Sequence, residues 1–304
     1  MAQGAINLET TSAQEPALQA EYKKRGVVRT FVQRNKVGAV GFVLLGFFVL
    51  LAIFGPIIMS GENPTNAAAI YAPPSSEFWL GADYMGKDVF QQIVRGGRGL
   101  LLVATLTAIM STFIGVVLGS LTALIGGRFD TTLLVITDIV LTVPGIVLLS
   151  VLAAYFTLSS PILLALILAA TGWPVLLRAI RSQVLSLKER EYVEAARMLD
   201  LGTPRILFRE IIPNMMSYIL INFVFAMTGA IYAQVFLYFL GLVPLTGDNW
   251  GLMIQQAYSK GAHFFEDSLL YMLAPIFMIS VLQLSLVMVA RSLEDIFNPR
   301  LRED

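Results

Sequence analysis

Residues 131–177 carry a single charged side chain, that of Asp138. A run of this length is too apolar for a water-exposed surface, because about 20 consecutive apolar residues are enough to cross the hydrocarbon core of a bilayer. The segment from Thr157 to Pro161 divides the run into two such blocks. Other apolar blocks lie on both sides of it, and only 14% of the chain is charged, against about 25% in a soluble domain. The sequence therefore predicts an all-α, polytopic membrane protein.

Six apolar blocks have the composition of transmembrane helices. The second carries Gly115 and Gly119, a spacing that suits close packing against another helix. The predicted spans are residues 37–59, 99–124, 131–156, 161–177, 215–240 and 268–290. They divide the chain into an N-terminal segment (1–36), a transmembrane domain (37–302) and a tail (291–304) that overlaps the end of that domain.

The distribution of Lys and Arg indicates the orientation in the membrane. An even number of spans places both termini on one side, together with the long polar loop at residues 178–213. Of the 21 Lys and Arg residues, only Lys87, Arg95, Arg98 and Lys260 fall on the opposite side. Since positive charge is retained on the cytoplasmic side of membrane proteins, we expect the termini and the 178–213 loop to be cytoplasmic.

The first half of the 178–213 loop has the signals of a short helix. Ser186 followed by Glu189 forms a capping-box pattern, which predicts a helix that starts at Ser186. Good helix formers then continue to Leu199. This helix is too charged to cross a bilayer, so we expect it to lie at the membrane surface.

The second half of the loop predicts another short helix. Gly202 is expected to end the first helix, because Gly is common just beyond a helix C-terminus. Thr203-Pro204 then reads as an N-cap followed by Pro at the first helical position. We expect this second helix to end at Pro213.

This loop resembles the coupling loop of bacterial ABC importer permeases. The family pattern is Glu-Ala-Ala, three residues, Gly, nine residues and an apolar-x-apolar-Pro ending. Here Glu194-Ala195-Ala196 supplies the start and Ile212-Pro213 the end. Asp200 occupies the Gly position, with Gly202 two residues later. Because Asp tolerates left-handed backbone better than most residues, we expect the turn to survive.

Four further blocks are similar to the dipeptide/oligopeptide/nickel permease family of these importers. They are Gly81-Ala82-Asp83 with Gly86-Lys87-Asp88, Gly126-Gly127 with Asp130, Asp138 and Pro144, Phe239-Leu240-Gly241-Leu242 with Trp250-Gly251, and Asp295 with Asn298-Pro299-Arg300. Ala82 and Lys87 depart from the Thr and Arg of the family. The blocks cover about residues 30–302 in the order of the C-type subunit, and the chain is identified as a member of this family.

The resemblance implies the type I ABC importer permease fold, with six transmembrane helices and a cytoplasmic coupling helix, in a bacterial inner membrane. It also implies four partners besides lipid: a B-type permease, two ABC ATPase subunits and an extracytoplasmic substrate-binding protein. The sequence lacks the Gly-x-x-x-x-Gly-Lys-Ser/Thr motif that binds nucleotide phosphates. ATP and Mg²⁺ are therefore expected in the partner subunits, with no catalytic residue or cofactor in this chain. No nucleic-acid partner is expected.

The residues expected to contact the ATPase all lie in the loop. Small alanines would allow the partner to approach closely, and charged side chains would offer polar contacts. The predicted set is Glu191, Glu194, Ala195, Ala196, Arg197, Asp200 and Gly202.

Three polar residues in the spans are candidates for the translocation path. Asp138 is the one carboxylate within an apolar block, and such groups are often functional, but pairing with a cytoplasmic-side Arg such as Arg178 is the preferred interpretation. Asn222 and Gln234 either line a polar path or bond a neighbouring helix. With no Cys and with His263 as the one His, a metal site is not expected.

Short peptides are the expected cargo, carried by alternating access that the ATPase subunits drive. Oligosaccharides are the second expectation and nickel chelates the third. A secondary transporter is the alternative of a different class. It would need ion-coupling residues in its spans and paired broken helices in repeated halves, and the sequence offers little of either.

Overall fold

The computed structural model describes residues 35–158, 160–244 and 247–297, and within them it contains helices and no β-strand. A π-helix, Ile206–Ile211, joins α7 to α8, and short 3₁₀ turns occur in the loops. The α-helices are α1 (Lys36–Ile58), α2 (Val89–Ile125), α3 (Gly127–Thr142), α4 (Gly145–Tyr155), α5 (Pro161–Leu187), α6 (Glu191–Met198), α7 (Thr203–Arg205), α8 (Ile212–Asn214), α9 (Met216–Phe239), α10 (Trp250–Ser259) and α11 (Leu269–Phe297).

Five long apolar segments of the described chain can cross a membrane: α1, α2, α5, α9 and the segment that contains α11. A sixth span results if α3 and α4 are taken together, but these helices are bent by 85° relative to one another. The predicted span over residues 131–156 is therefore divided between two helices. The break falls at Val143, whose backbone is extended (φ −80°, ψ 126°), directly before Pro144. Proline disfavours helical backbone in the residue that precedes it.

Helices α2 and α5 are longer than the apolar blocks that predicted them. The helix predicted from residue 99 begins at Val89, where the Asp88 side chain accepts a hydrogen bond from the Phe90 N–H at 2.8 Å. At the other boundary, α5 continues to Leu187, so the first ten residues of the predicted 178–213 loop are helical. Ser186 lies inside α5, and the predicted capping box is wrong. The next helix, α6, begins at Glu191 without a side-chain cap.

The close helix contact predicted from two glycines is present between α2 and α5. A Cβ atom at Gly115 would lie 2.6 Å from the Cβ of Leu176. At Gly119 it would lie 2.7 Å from the carbonyl oxygen of Leu177. Both distances are shorter than a carbon contact permits, so these two positions allow the α2 and α5 backbones to approach.

The bundle has two structurally different ends. At one end, residues 188–215, which we call the coupling segment, pack against Ala123 near the end of α2 and Ile180 of α5. At the other end, residues 59–88, which we call the loop block, pack against the start of α2. Trp250 is fully buried beside this start and donates a hydrogen bond from Nε1 to the Ile93 carbonyl oxygen at 2.8 Å.

A buried carboxylate organises the loop block. Asp83 is 2% exposed, and its side chain accepts hydrogen bonds from the Met85 N–H at 2.7 Å and the Lys87 N–H at 2.9 Å. The Nε2 of Gln92, one turn into α2, donates a third bond at 2.8 Å. Because buried polar groups are stable only when they are hydrogen-bonded, this network fixes the loop block to the start of the span.

Candidate functional site

The helix α6 of the coupling segment has one buried and one exposed face. Val193 and Ala196, three residues apart, lie on the same face of the helix. They pack in an apolar cluster with the π-helix and with the C-terminal parts of α2 and α5. The remaining predicted contact residues of α6 are exposed: Glu191, Glu194, Ala195 and Arg197. The exposed face is therefore available to a partner protein.

The two alanines predicted to contact the ATPase lie on different faces of α6. This side chain is 6% exposed and belongs to the apolar cluster of the chain itself, whereas its neighbour Ala195 is exposed. Helical periodicity explains the difference, because adjacent residues lie about 100° apart around the axis. Only Ala195 of the two alanines lies on the surface.

The turn after α6 forms at the residue that replaces the family Gly. Asp200 has φ +54°, in the left-handed region, as expected for an Asp at this position. Its N–H donates to the Arg197 carbonyl oxygen at 2.9 Å. Gly202 has an ordinary φ of −59° and precedes α7, so it does not end α6, which stops at Met198.

The second helical run does not stop at Pro213 as predicted. Pro213 lies in the first turn of α8, which continues to Asn214. Thr203 likewise is the first residue of α7 rather than its cap.

Three large apolar side chains on the coupling segment were missed by the sequence analysis. Met198 is 84% exposed, Leu199 is 73% exposed and Phe208, in the π-helix, is 64% exposed. Large exposed apolar side chains on a segment this rich in charge mark a candidate protein interface. The sequence signal was available, because these residues stand in a stretch that is too charged to enter the bilayer.

A cavity of about 340 Å³ lies between four of the helices. Its polar side chains are those of Thr107, Ser111, Thr171 and Asn222, and no charged side chain of the described residues lines it. The remaining lining residues are Gly145 and Leu149 of α4, Leu168, Gly172, Val175 and Leu176 of α5, and Phe225, Ala226, Gly229, Ala230 and Ala233 of α9.

The two polar residues of the fifth predicted span have different environments. Asn222 lines the cavity, and its Nδ2 donates to the Tyr218 carbonyl oxygen of the same helix at 2.8 Å. Gln234 is fully buried, and its Nε2 donates to the Leu100 carbonyl oxygen of α2 at 3.0 Å. Of the two alternatives, Asn222 therefore matches the lining position and Gln234 the bond to a neighbouring helix.

Two ion pairs join α3 to α5. The expected pair between Asp138 and Arg178 is present, with side chains 58% and 49% exposed. Asp130 and Arg181 form a second, bidentate pair, with both nitrogen–oxygen distances at 2.6 Å and side chains only 17% and 24% exposed. The two pairs thus connect the same helices in different environments.

His263 is half-buried at the loop-block end of the bundle and stacks on Tyr258 with ring centroids 5.4 Å apart. Across the described part of the chain, no group of three or more His, Cys, Asp or Glu side chains is placed to hold a metal ion. A packing contact accounts for the position of His263.

Two family matches together cover most of the chain. Residues 115–303 match the family described as the binding-protein-dependent transport system inner membrane component. Residues 27–74 match the N-terminal transmembrane domain of oligopeptide transport permease C. The first match begins at Gly115 and therefore includes α4, α5 and α9 of the cavity, together with the whole coupling segment.

Similar curated proteins carry names from peptide transport. The oligopeptide transport system permease protein OppC of Bacillus subtilis is 36% identical over 222 residues, which is 72% of each chain. A putative peptide permease protein of Brucella ovis is 33% identical over 270 residues, or 88% of each chain. The dipeptide transport system permease protein DppC of Bacillus subtilis is 29% identical over 302 residues, covering 97% of this chain and 91% of the relative. The chain belongs to the family of binding-protein-dependent transport system inner membrane components.

Proposed function

We propose that this chain is the C-type permease subunit of an ATP-driven importer of short peptides. The main support is a physical connection between the coupling segment and the cavity that α2, α4, α5 and α9 line. The coupling segment shares one apolar cluster with α2 and α5, and these two helices also line the cavity. The names of the relatives supply the cargo, since they describe oligopeptide and dipeptide transport.

The exposed face of the coupling segment is the proposed ATPase contact. Met198, Leu199 and Phe208 supply the apolar area that a stable contact needs. Charged groups also lie on this segment and would set the orientation of the partner. The predicted residues that remain in this set are Glu191, Glu194, Ala195, Arg197, Asp200 and Gly202, all exposed.

Movement of the ATPase would reach the cavity through side chains that are already in contact. Val193 of α6 packs in one cluster with Ile211, Ile180 and Ala123. Close-packed protein interiors have low compressibility, so a displacement on one side of such a cluster is transmitted to the other side. A shift of α6 therefore tilts the adjoining ends of α2 and α5 and changes the width of the cavity between them, which is the basis of alternating access.

The assembly we propose contains a B-type permease, two ABC ATPase subunits that bind ATP and Mg²⁺, and an extracytoplasmic binding protein. The termini and the coupling segment face the cytoplasm of a bacterial cell. Support for this orientation comes from the Lys and Arg distribution, which leaves four of the 21 on the other side. Asn222 belongs to the path, whereas Gln234 is assigned to helix packing because it is fully buried against α2.

Co-purification with the importer subunits tests the proposal. The tagged chain is expressed together with the proposed B-type permease and ATPase subunits. The amount of ATPase that co-elutes with it in mild detergent is then quantified. We expect Glu194→Lys to reduce ATPase recovery, because it reverses a charge on the exposed face of α6. The matched control is Glu266→Lys, the same change at an exposed site at the opposite end of the bundle.

Uptake by the reconstituted complex tests the energy source and the cargo. Proteoliposomes with all subunits should accumulate labelled tripeptide only when ATP and the binding protein are supplied. Uptake by this chain in liposomes without the ATPase subunits would contradict the proposal and favour secondary transport. Competition by oligosaccharides or nickel chelates, and not by peptides, would assign a different cargo to the same machinery.

A further inference from the structure

Arg178 lies on α5 just beyond the residues of that helix that line the cavity. Thr171, Val175 and Arg178 are spaced by four and three residues on α5, which places them on one face of the helix. Thr171 and Val175 line the cavity. Arg178 is one turn further toward the coupling segment, and there it pairs with Asp138 of α3.

The exposure of this pair indicates what surrounds it. About half of each side chain is open, although both lie on apolar helices, and Asp138 is eleven residues into the bent span, about 16 Å along α3 at 1.5 Å per residue. Charged side chains inside a membrane face water-filled cavities or other protein, because hydrocarbon contact costs several kcal/mol. The pair therefore faces the water-filled path or the protein surface that encloses it, and not lipid.

The exposed pair is not needed to hold α3 against α5. Asp130 and Arg181 already join these helices through two hydrogen bonds of 2.6 Å, and their side chains are less than a quarter exposed. Bidentate carboxylate–guanidinium bonds are the strongest of the common ion pairs. Since this clamp exists, the Asp138–Arg178 pair is free to exchange partners without releasing the helices.

The cavity itself offers no counter-charge to a cargo. Its polar side chains, Thr107, Ser111, Thr171 and Asn222, are neutral. A short peptide has an ammonium group at one end and a carboxylate at the other, and each loses water on entering a narrow path. A charge removed from water needs a partner of opposite sign. Asp138 and Arg178 supply one charge of each sign, and Arg178 stands about one helical turn of α5 beyond Val175 of the cavity lining.

We propose that Asp138 and Arg178 form a charge-exchange site for zwitterionic cargo, in which the ammonium end of a peptide replaces Arg178 on Asp138 and its carboxylate replaces Asp138 on Arg178. The inference rests on the proposed function, because it takes the cargo to be a peptide with free ends. The planar fork of Arg178 matches a carboxylate bidentately. The site is neutral when empty and when occupied, so it can open and reclose without leaving a charge unpaired.

Binding of three small peptides to the complex tests the site directly. The complex of both permeases and the ATPases is placed in nanodiscs without nucleotide or binding protein, so that selectivity of the binding protein plays no part. Binding of trialanine, trialanine amide and N-acetyl-trialanine is measured by saturation-transfer NMR. We expect Arg178→Gln to weaken trialanine binding by about tenfold or more, and binding of the amide by less than about twofold. Asp138→Asn should weaken the binding of the two peptides with a free amine, trialanine and trialanine amide, and should change the binding of N-acetyl-trialanine much less.

Two further variants separate exchange from a structural role. Asp130→Asn with Arg181→Gln removes the clamp, and we expect lower recovery of assembled complex, with the binding of all three peptides changed by the same factor. Arg178→Lys retains the charge but loses the fork, and it replaces Arg178→Gln if that variant does not assemble. Its loss of binding should be confined to the two peptides with a free carboxylate.

Equal weakening of all three peptides by the Asp138 and Arg178 variants would overturn the charge-exchange site, as would the absence of trialanine binding to the wild-type complex. ATP-driven uptake of trialanine by the wild-type importer separates failure of the exchange site from failure of the importer function. If uptake occurs and the selectivity does not, the exchange site is wrong and the importer function stands. If the wild-type complex takes up no peptide, the proposed function fails as well.

Discussion

The loop block and the coupling segment are similar in length and connect spans at opposite ends of the bundle, but they are held in different ways. The loop block is fixed by hydrogen bonds to the buried Asp83 carboxylate. The side-chain amide of Asn63 adds two more, since it accepts from the Asp88 N–H at 2.9 Å and donates to the Asp88 carbonyl oxygen at 3.0 Å. The coupling segment is held mainly by an apolar cluster around Val193 and Ile211. Hydrogen bonds of defined geometry specify one arrangement, whereas apolar contacts are non-directional. The segment proposed to move is the one without a buried carboxylate network.

Removing the centre of the loop-block network should have the largest effect. Asp83→Ala leaves two backbone N–H groups and the Gln92 amide without their acceptor, and we expect a loss of about 3 kcal/mol or more in the free energy of unfolding. Thermal unfolding in detergent measures it. Asp267→Ala, at an exposed carboxylate of the same end, is the control and should change stability by less than about 0.5 kcal/mol. An unchanged unfolding temperature for Asp83→Ala would remove the basis of the comparison.

Enlarging the two alanines of α6 separates the inner and outer faces of the coupling segment. Ala196→Leu adds volume to a packed cluster, and overpacking of this kind costs about 1–3 kcal/mol. Ala195→Leu should leave stability within about 0.5 kcal/mol and instead reduce ATPase recovery. The same unfolding and co-purification measurements apply to both variants. If the two variants exchanged these behaviours, the orientation of α6 would be wrong.

The exposed apolar side chains of the coupling segment should affect binding of the ATPase and not the stability of the fold. Phe208→Ser removes an exposed aromatic side chain from the proposed ATPase contact, and we expect a loss of about 1–2 kcal/mol in ATPase binding with no loss of thermal stability. Titration of the purified ATPase onto the permease pair gives the affinity. Phe264→Ser is the matched control, since Phe264 is 78% exposed at the opposite end. Equal losses from both variants would show that the effect is not specific to the coupling segment.

The pH dependence of the loop block should be the smallest effect. Burial raises the pKa of Asp88 above its ordinary value, against the lowering effect of the Phe90 and Gln91 backbone N–H groups. A raised pKa means that the folded state holds the proton more tightly, so this contribution is present at low pH and is lost as the pH rises through the folded pKa. Asp88→Asn retains a good N-cap and should flatten that part of the pH–stability curve. An unchanged curve would exclude Asp88 as its source.

Much of the fold and part of the site could be predicted from local patterns. The apolar blocks predicted a helical membrane protein, Gly115 and Gly119 predicted the α2–α5 contact, and the lone Asp138 predicted its pairing with Arg178. The bend was missed because mean hydropathy does not register a single residue, although Pro144 was visible. Whether Ala196 or Ala195 is buried depends on what packs behind α6, and that contact is made by residues distant in sequence. Met198, Leu199 and Phe208 could have been selected as large apolar residues in a charged stretch, but which apolar residues of that stretch are exposed follows from the same tertiary packing.

The bend at Pro144 has a consequence for synthesis of the chain. With 16 residues in α3 and 11 in α4, the two pieces are about 24 Å and 16 Å long, and neither alone matches a hydrocarbon core of about 30 Å. Leu149 and Ala153 of α4 are buried against Leu164 and Leu168 of α5. While the ribosome is still translating α5, the bent pair therefore lacks its packing surface. We therefore expect its final placement in the bilayer to follow that of the next span, so that α3, α4 and α5 mature as one unit.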